Sequence, residues 1–123
     1  MAYFINLQTF TDNRGSLNSV DKVLPFDIKR VYYIYGIEPL LERGGHRHIE
    51  TVEALICMHG SCRVHIDNGT EKKQILLDDP SQCLIVEPGD YHLMDNFGDN
   101  TILLGIASTH HDKADYINEP YNY

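Results

Sequence analysis

Short stretches of alternating or β-branched residues, cut by turn clusters, run the length of the chain. Residues 3–10, YFINLQTF, alternate roughly and predict a first strand. TDNRGS, ending at Ser16, is a turn cluster; Leu17 to Val20 resumes a strand, and Pro25 and Asp27 break it. Residues 29–36, KRVYYIYG, are aromatic and β-branched and predict a strand, with Tyr33 and Tyr35 on the face opposite Tyr32. Residues 37–44 read as a loop. The next strand carries His46 and His48, which period two sets on one face. Residues 53–58 predict another apolar strand, ended by a turn at Gly60-Ser61. CRVHI then pairs across Asp67-Asn68-Gly69 with KKQILL, since Asn-Gly is a strong hairpin signal. LIVE, the segment around His92 and Met94, and TILLGIAS give three further strands. The polar, aromatic tail predicts only a short helix, around Asp112–Ile117. Many short strands, with no longer helix and no repeat, predict an all-β jelly roll or closed barrel.

Composition narrows this picture without changing it. A chain of 123 residues that is 42% hydrophobic can bury a real core, and one domain over residues 1–123 is expected. A net charge of −8 argues against nucleic acid as the main partner. It leaves room for a local basic pocket that takes a small phosphate ligand. Cys57, Cys62 and Cys83 are widely spaced and form no CxxC, so reduced, packed thiols of a cytoplasmic protein are expected. No apolar run approaches a membrane span, and no signal pattern opens the chain; neither membrane nor export is expected.

The chemistry gathers in two segments. His46-x-His48-x4-Glu53-x6-Gly60 and Gly89-x2-His92-x3-Asn96 match the two cupin motifs in their core spacing. An HxH pair on a strand aims two imidazoles inward, and neighbouring strands add Glu53 and His92. Three imidazoles and a carboxylate in one pocket can bind a divalent transition metal. They can equally serve as general acids and bases.

The resemblance is closer than to cupins at large. DNRGSL (ending at Leu17), PFDIKRVYYI (ending at Ile34), RGGHRH (ending at His48), GSCRV, the Asp67-Asn68-Gly69 turn and the ending with ADYI resemble the WxcM-like sugar-nucleotide cupins over nearly the whole chain. These are the dTDP-4-keto-6-deoxyglucose 3,4-ketoisomerases. The resemblance implies a cupin jelly roll and a keto group moved from C4 to C3 of a dTDP-hexose. It implies His46 as the base, with Tyr32 and His48 as a relay for the hydroxyl protons. It implies no redox cofactor and no metal. The diphosphate calls for cations, and Arg43 and Arg14 are the candidates, since arginine's fork suits phosphate oxygens. Tyr91 and His92 are candidates for further substrate contacts. Relatives dimerise and exchange N-terminal strands, so a homodimer is expected, and the apolar first strand would otherwise leave an exposed edge.

The chain departs from that family at three positions. Glu53 stands where Gln is usual and completes a possible metal set of His46, His48, Glu53 and His92. Tyr91 stands where Trp is common, and Ile49 replaces a usual Lys. Two other readings therefore stay open: a metal-dependent cupin enzyme, such as a sugar isomerase or dioxygenase, and a non-catalytic sugar-nucleotide-binding module.

Overall fold

The computed structural model describes residues 1–123 and is built of two five-stranded antiparallel sheets. The first sheet has the spatial order β1 (Tyr3–Asn6), β9 (Gln82–Val86), β6 (Glu53–His59), β11 (Ile102–Ala107), β4 (Arg30–Ile34). The second has the order β12 (Tyr116–Ile117), β5 (Arg43–His48), β10 (Tyr91–Asp95), β7 (Cys62–Asp67), β8 (Lys72–Leu77). β2 (Thr9–Asp12) and β3 (Gly15–Asn18) pair only with each other. The all-β expectation holds, although the sheets do not join into a closed hydrogen-bonded cylinder.

Alternation decides which side chains meet. Leu55, Cys57, Leu84, Val86 and Leu103 of the first sheet pack against Cys62, Val64, Ile66, Leu77 and Met94 of the second. This is the core between the sheets. A second cluster, built on Ala54, Ile56, Cys83, Ile85 and Ile106, covers the other face of the first sheet. Leu7 joins it, and Val20, Leu24 and Phe26 of the connector before β4 pack onto it. The first sheet is thus buried on both faces. That explains why β6 and β9 read as continuous apolar runs rather than alternating ones.

Three local expectations change. YFINLQTF is two strands, because β1 pairs with β9 while β2 turns away to pair with β3. Leu7 marks the break: its N–H donates to the Ser81 carbonyl at 2.7 Å and its side chain is buried. Arg43 opens β5 rather than ending a loop. The tail helix is a single 3-10 turn, Lys113–Asp115, capped by Asp112, and the chain continues as β12 along β5.

β5 also carries a bulge that matters for the site. His46 lies opposite His92, yet Arg43 lies opposite Met94, so β5 has one more residue than β10 over this span. Gly44 and Gly45 take φ of +83° and +81° there, which side chains resist. A Cβ at Gly44 would also meet the His92 carbonyl oxygen at 2.9 Å. The bulge puts Arg43 on the same face as His46 despite their odd spacing.

Candidate active site

One end of the space between the sheets is polar. β4 sends Tyr32 inward, β5 sends His46 and His48, β6 sends Glu53, β10 sends His92, and β12 lays Tyr116 beside them. The His46 ring lies 4.9 Å from that of His48, 4.6 Å from that of His92 and 4.6 Å from that of Tyr116, between centroids. Tyr32 can lie flat on β11 only because residue 105 is glycine; a Cβ there would sit 2.1 Å from the ring.

A continuous hydrogen-bonded chain runs through the cluster. The Tyr32 hydroxyl donates to Glu53 Oε2. Glu53 Oε1 lies 2.5 Å from His48 Nε2. On its other side, His48 Nδ1 donates to Asp115 Oδ2 at 2.9 Å. Asp115 is fixed in turn by the Glu50 N–H at 2.7 Å and by the Thr51 hydroxyl. Both ring nitrogens of His48 therefore face carboxylate oxygens.

Electrostatics separates the members. Burial, then the neighbouring His92 and His48, lower His46 to about 4, so its ring is uncharged at neutral pH. Burial likewise lowers the fully enclosed His92, whose Nδ1 donates to the Asp90 carbonyl at 3.1 Å. Burial alone would raise Glu53, but hydrogen bonds from His48 and Tyr32 and the nearby His92 outweigh it and bring it down to about 2. Tyr32 is raised above the usual phenol range by burial and then by the Glu53 carboxylate. It therefore stays protonated, a donor.

The donor set also fits a divalent metal in type and reach. Ligand atoms of His46, His48, Glu53 and His92 all lie within 4.8 Å of one another. Asp115 and the Asp90 carbonyl hold Nδ1 of His48 and His92, the outer-shell support that metal-binding imidazoles commonly have. Both Glu53 oxygens are engaged, however, so an arriving metal would replace its bonds to Tyr32 and His48.

The geometry has counterparts among known proteins. The family model described as "FdtA: WxcM-like, C-terminal" matches residues 2–123. The chain belongs to this FdtA family. It is 39% identical to the TDP-4-oxo-6-deoxy-alpha-D-glucose-3,4-oxoisomerase of Aneurinibacillus thermoaerophilus, over 97% of this chain and 87% of that protein. Among solved structures it is similar to a histidine-to-asparagine variant of the 3,4-ketoisomerase QdtA from Thermoanaerobacterium thermosaccharolyticum, in complex with TDP-4-keto-6-deoxyglucose. That match has a TM-score of 0.93 at 35% identity, covering 96% of this chain and 87% of the other. The TDP-quinovose 3,4-ketoisomerase WlaRB of Campylobacter jejuni matches with a TM-score of 0.92 at 38% identity, covering 96% and 92%.

Within this FdtA-like fold, His46, His48, Tyr32, Glu53 and His92 come together. Arg43 stands at the exposed start of β5. Arg14 lies in the β2–β3 turn, ion-paired with Asp12. Tyr91 points to the opposite side of β10 from His92, into a cavity of about 490 Å³ shared with Lys72, Lys73 and Asp95. Four residues near the cluster escaped the reading of its sequence: Arg30, His111, Asp115 and Tyr116. Arg30 was legible, since it alternates with Tyr32. Tyr116 and Asp115 stand in the ADYI segment, but only the pairing of β12 with β5 reveals what they touch.

Proposed function

We propose that this FdtA-like chain is an isomerase that moves the keto group of a thymidine-diphosphate 4-keto-6-deoxyhexose from C4 to C3, in deoxyaminosugar biosynthesis. The observation that carries the reading is an uncharged His46 beside the Tyr32–Glu53–His48–Asp115 chain. The names of its FdtA relatives support the substrate class.

The C3 hydrogen of such a sugar is acidified by the adjacent carbonyl. His46 takes it as a proton, and the electron pair becomes the C3=C4 bond while O4 takes a proton from Tyr32. Glu53 and His48 restore the Tyr32 proton. The enediol then gives its O3 proton to the chain as the C3 carbonyl forms, and C4 receives a proton from the chain. The proton on His46 returns through solvent, which closes the cycle. Two groups near the same carbons thus divide the work: a base that is uncharged at rest, and a donor that is protonated at rest. The reaction is redox-neutral and needs no redox cofactor.

Substrate contacts are assigned to Arg43 and Arg14 at the diphosphate and to His92 at the sugar; Tyr91, which faces the other side of β10, is left out of them. The chain works as a homodimer with exchanged N-terminal strands: β2 and β3 pair only with each other and expose Phe10 and Leu17, while the edge strand β4 exposes Val31, Tyr33 and Tyr35. Arg14 then acts across the dimer. The cytoplasm suits three buried, unpaired thiols, and no helix is long and apolar enough to cross a membrane.

A second reading rests on the close His/Glu cluster. In it, His46, His48, Glu53 and His92 would hold a divalent metal, which would supply Lewis-acid chemistry at the sugar's carbonyl. An NMR time course in deuterated water with dTDP-4-keto-6-deoxyglucose separates the two. Deuterium arriving at C4, with no loss of rate on chelation, supports the His46 reading. Loss of turnover with chelator supports the metal. Clean binding without conversion overturns both.

A further inference from the structure

We infer that Arg30 binds the substrate's diphosphate at the mouth of the site. The inference rests on the ketoisomerase reading and gives a role to a residue that stands in the KRVYYI segment without one.

Arg30 begins β4 and shares its inward face with Tyr32 and Ile34. Across the first sheet it lies opposite Ala107, and Ala107 lies opposite Glu53, so Arg30 and Glu53 occupy one row. Its guanidinium carbon is 5.6 Å from the Tyr32 ring centroid. Arg30, Tyr32, His111 and Tyr116 line a cavity of about 330 Å³ that opens beside the His46 cluster.

What singles Arg30 out is an unmet need. Its Nε is buried and has no hydrogen-bond partner, and no carboxylate pairs with it, in a chain with 18 acidic residues. A buried donor left unpaired costs free energy, and a charged one costs more. The other arginines are accounted for differently. Arg14 is paired with Asp12 and Arg63 with Asp95. Arg47 also has a buried, unpartnered nitrogen, but its guanidinium lies 3.8 Å from the Tyr121 ring centroid. Arg43 is exposed. Arg30 alone joins an unpaired, buried donor to a cavity that adjoins the reacting groups.

The missing partner is an oxyanion. With C3 and C4 held at His46 and Tyr32, the far side of a hexose ring lies toward the mouth, and C1 carries the diphosphate there. A planar fork fits two phosphate oxygens, which would satisfy Nε and a terminal nitrogen together. Tyr116 walls the same cavity, with its ring centroid 4.6 Å from those of His46 and His48, so the cavity adjoins the cluster.

Calorimetric titration of thymidine diphosphate and of thymidine, on the wild type, Arg30→Gln and Arg30→Lys, tests this. Arg30→Gln should weaken thymidine diphosphate about ten- to a hundredfold, as loss of hydrogen bonds to a charged group does, and leave thymidine unchanged. With keto sugar, KM should rise while kcat stays within a few-fold. Arg30→Lys should recover part of the affinity, because it keeps the charge and loses the fork. If Arg30→Gln does not fold, Arg30→Lys carries the test through the same diphosphate-against-nucleoside difference. Unchanged diphosphate affinity in the folded variant overturns the inference, and a fall in kcat alone would move Arg30 to the sugar's oxyanion. Failure of the wild type to bind thymidine diphosphate at all overturns the substrate reading itself, and the inference with it.

Discussion

His46 can accept a proton only while its ring is uncharged, and the same burial that keeps it so sets the pH range of the enzyme. Its proton leaves at about 4 rather than at 6.5. The kcat/KM profile should therefore run level below 6.5, with its acid limb near 4; a limb at the ordinary histidine value would show that His46 is more solvated than its packing implies. His46→Asn removes the base and keeps much of the shape. It should lower kcat about 10²- to 10⁴-fold with thymidine diphosphate affinity unchanged. Glu53 makes a subtler case. A glutamine there can accept from Tyr32 through its oxygen and donate to His48 Nε2 through its amide, so it keeps both contacts. An amide cannot pass a proton on, so Glu53→Gln should lower kcat about 10²- to 10⁴-fold; a rate within about tenfold of the wild type would show that Tyr32 is reprotonated from solvent and not through Glu53. The substitution should also shift the acid limb lower, because the Glu53 charge holds His46 up. If a metal did the work, the same change would cost metal content and activity together, which metal analysis of the purified variant reads directly.

Elements contribute through contacts that no single residue announces. β11 runs through the first sheet between β6 and β4, and Gly105 on it is the floor under the Tyr32 ring. Gly105→Ala would push a methyl to 2.1 Å from that ring, so the ring must leave and its bond to Glu53 breaks. Overpacking of this kind costs about 1–3 kcal/mol. The expected result is a lower melting temperature together with a loss of kcat at least as large as that of Tyr32→Phe; a variant with wild-type kcat would remove Tyr32 from the relay. This dependence also shows what the sequence could and could not reveal. Period two made the shared face of His46 and His48 plain, and the same rule joins Tyr32 to Arg30. The Gly44–Gly45 bulge broke the rule at Arg43, and an extra residue in a strand leaves no trace in alternation. YFINLQTF looked like one strand because its pattern is local, whereas the switch of partner from β9 to β3 is a long-range fact. Asp115 was hidden for another reason. It sits in a polar tail beside a two-residue strand, and its importance comes wholly from reaching His48, Glu50 and Thr51.

At the scale of the whole molecule, the site opposes the stability of the fold in acid. Ionisable groups line one end of the space whose other end is the core, so protons that the unfolded chain accepts are refused by the native one. Between 6.5 and about 4, His46 is protonated when unfolded and uncharged when folded; His92 is displaced in the same direction. The unfolded state then binds more protons, so stability falls as pH falls through that window. Glu53 acts next. Its folded value of about 2 lies below its ordinary 4.5, so the stabilisation it gives above 4.5 is lost progressively between those values. The two effects have the same sign and adjoining windows, which predicts a melting temperature that declines steadily from 6.5 downward instead of holding until the carboxylates titrate. His46→Asn has no proton to refuse and should flatten the upper part of that decline while leaving the lower part intact. Because His46 is only partly enclosed, its share is smaller than a fully buried group's, and the residual slope in His46→Asn measures what His92 contributes. Thermal scans of both proteins across the window read this out. A wild-type melting temperature that is level from 6.5 to 4.5 would mean that the imidazoles take up protons in the folded state, and that the acid limb of catalysis must be sought near the ordinary histidine value.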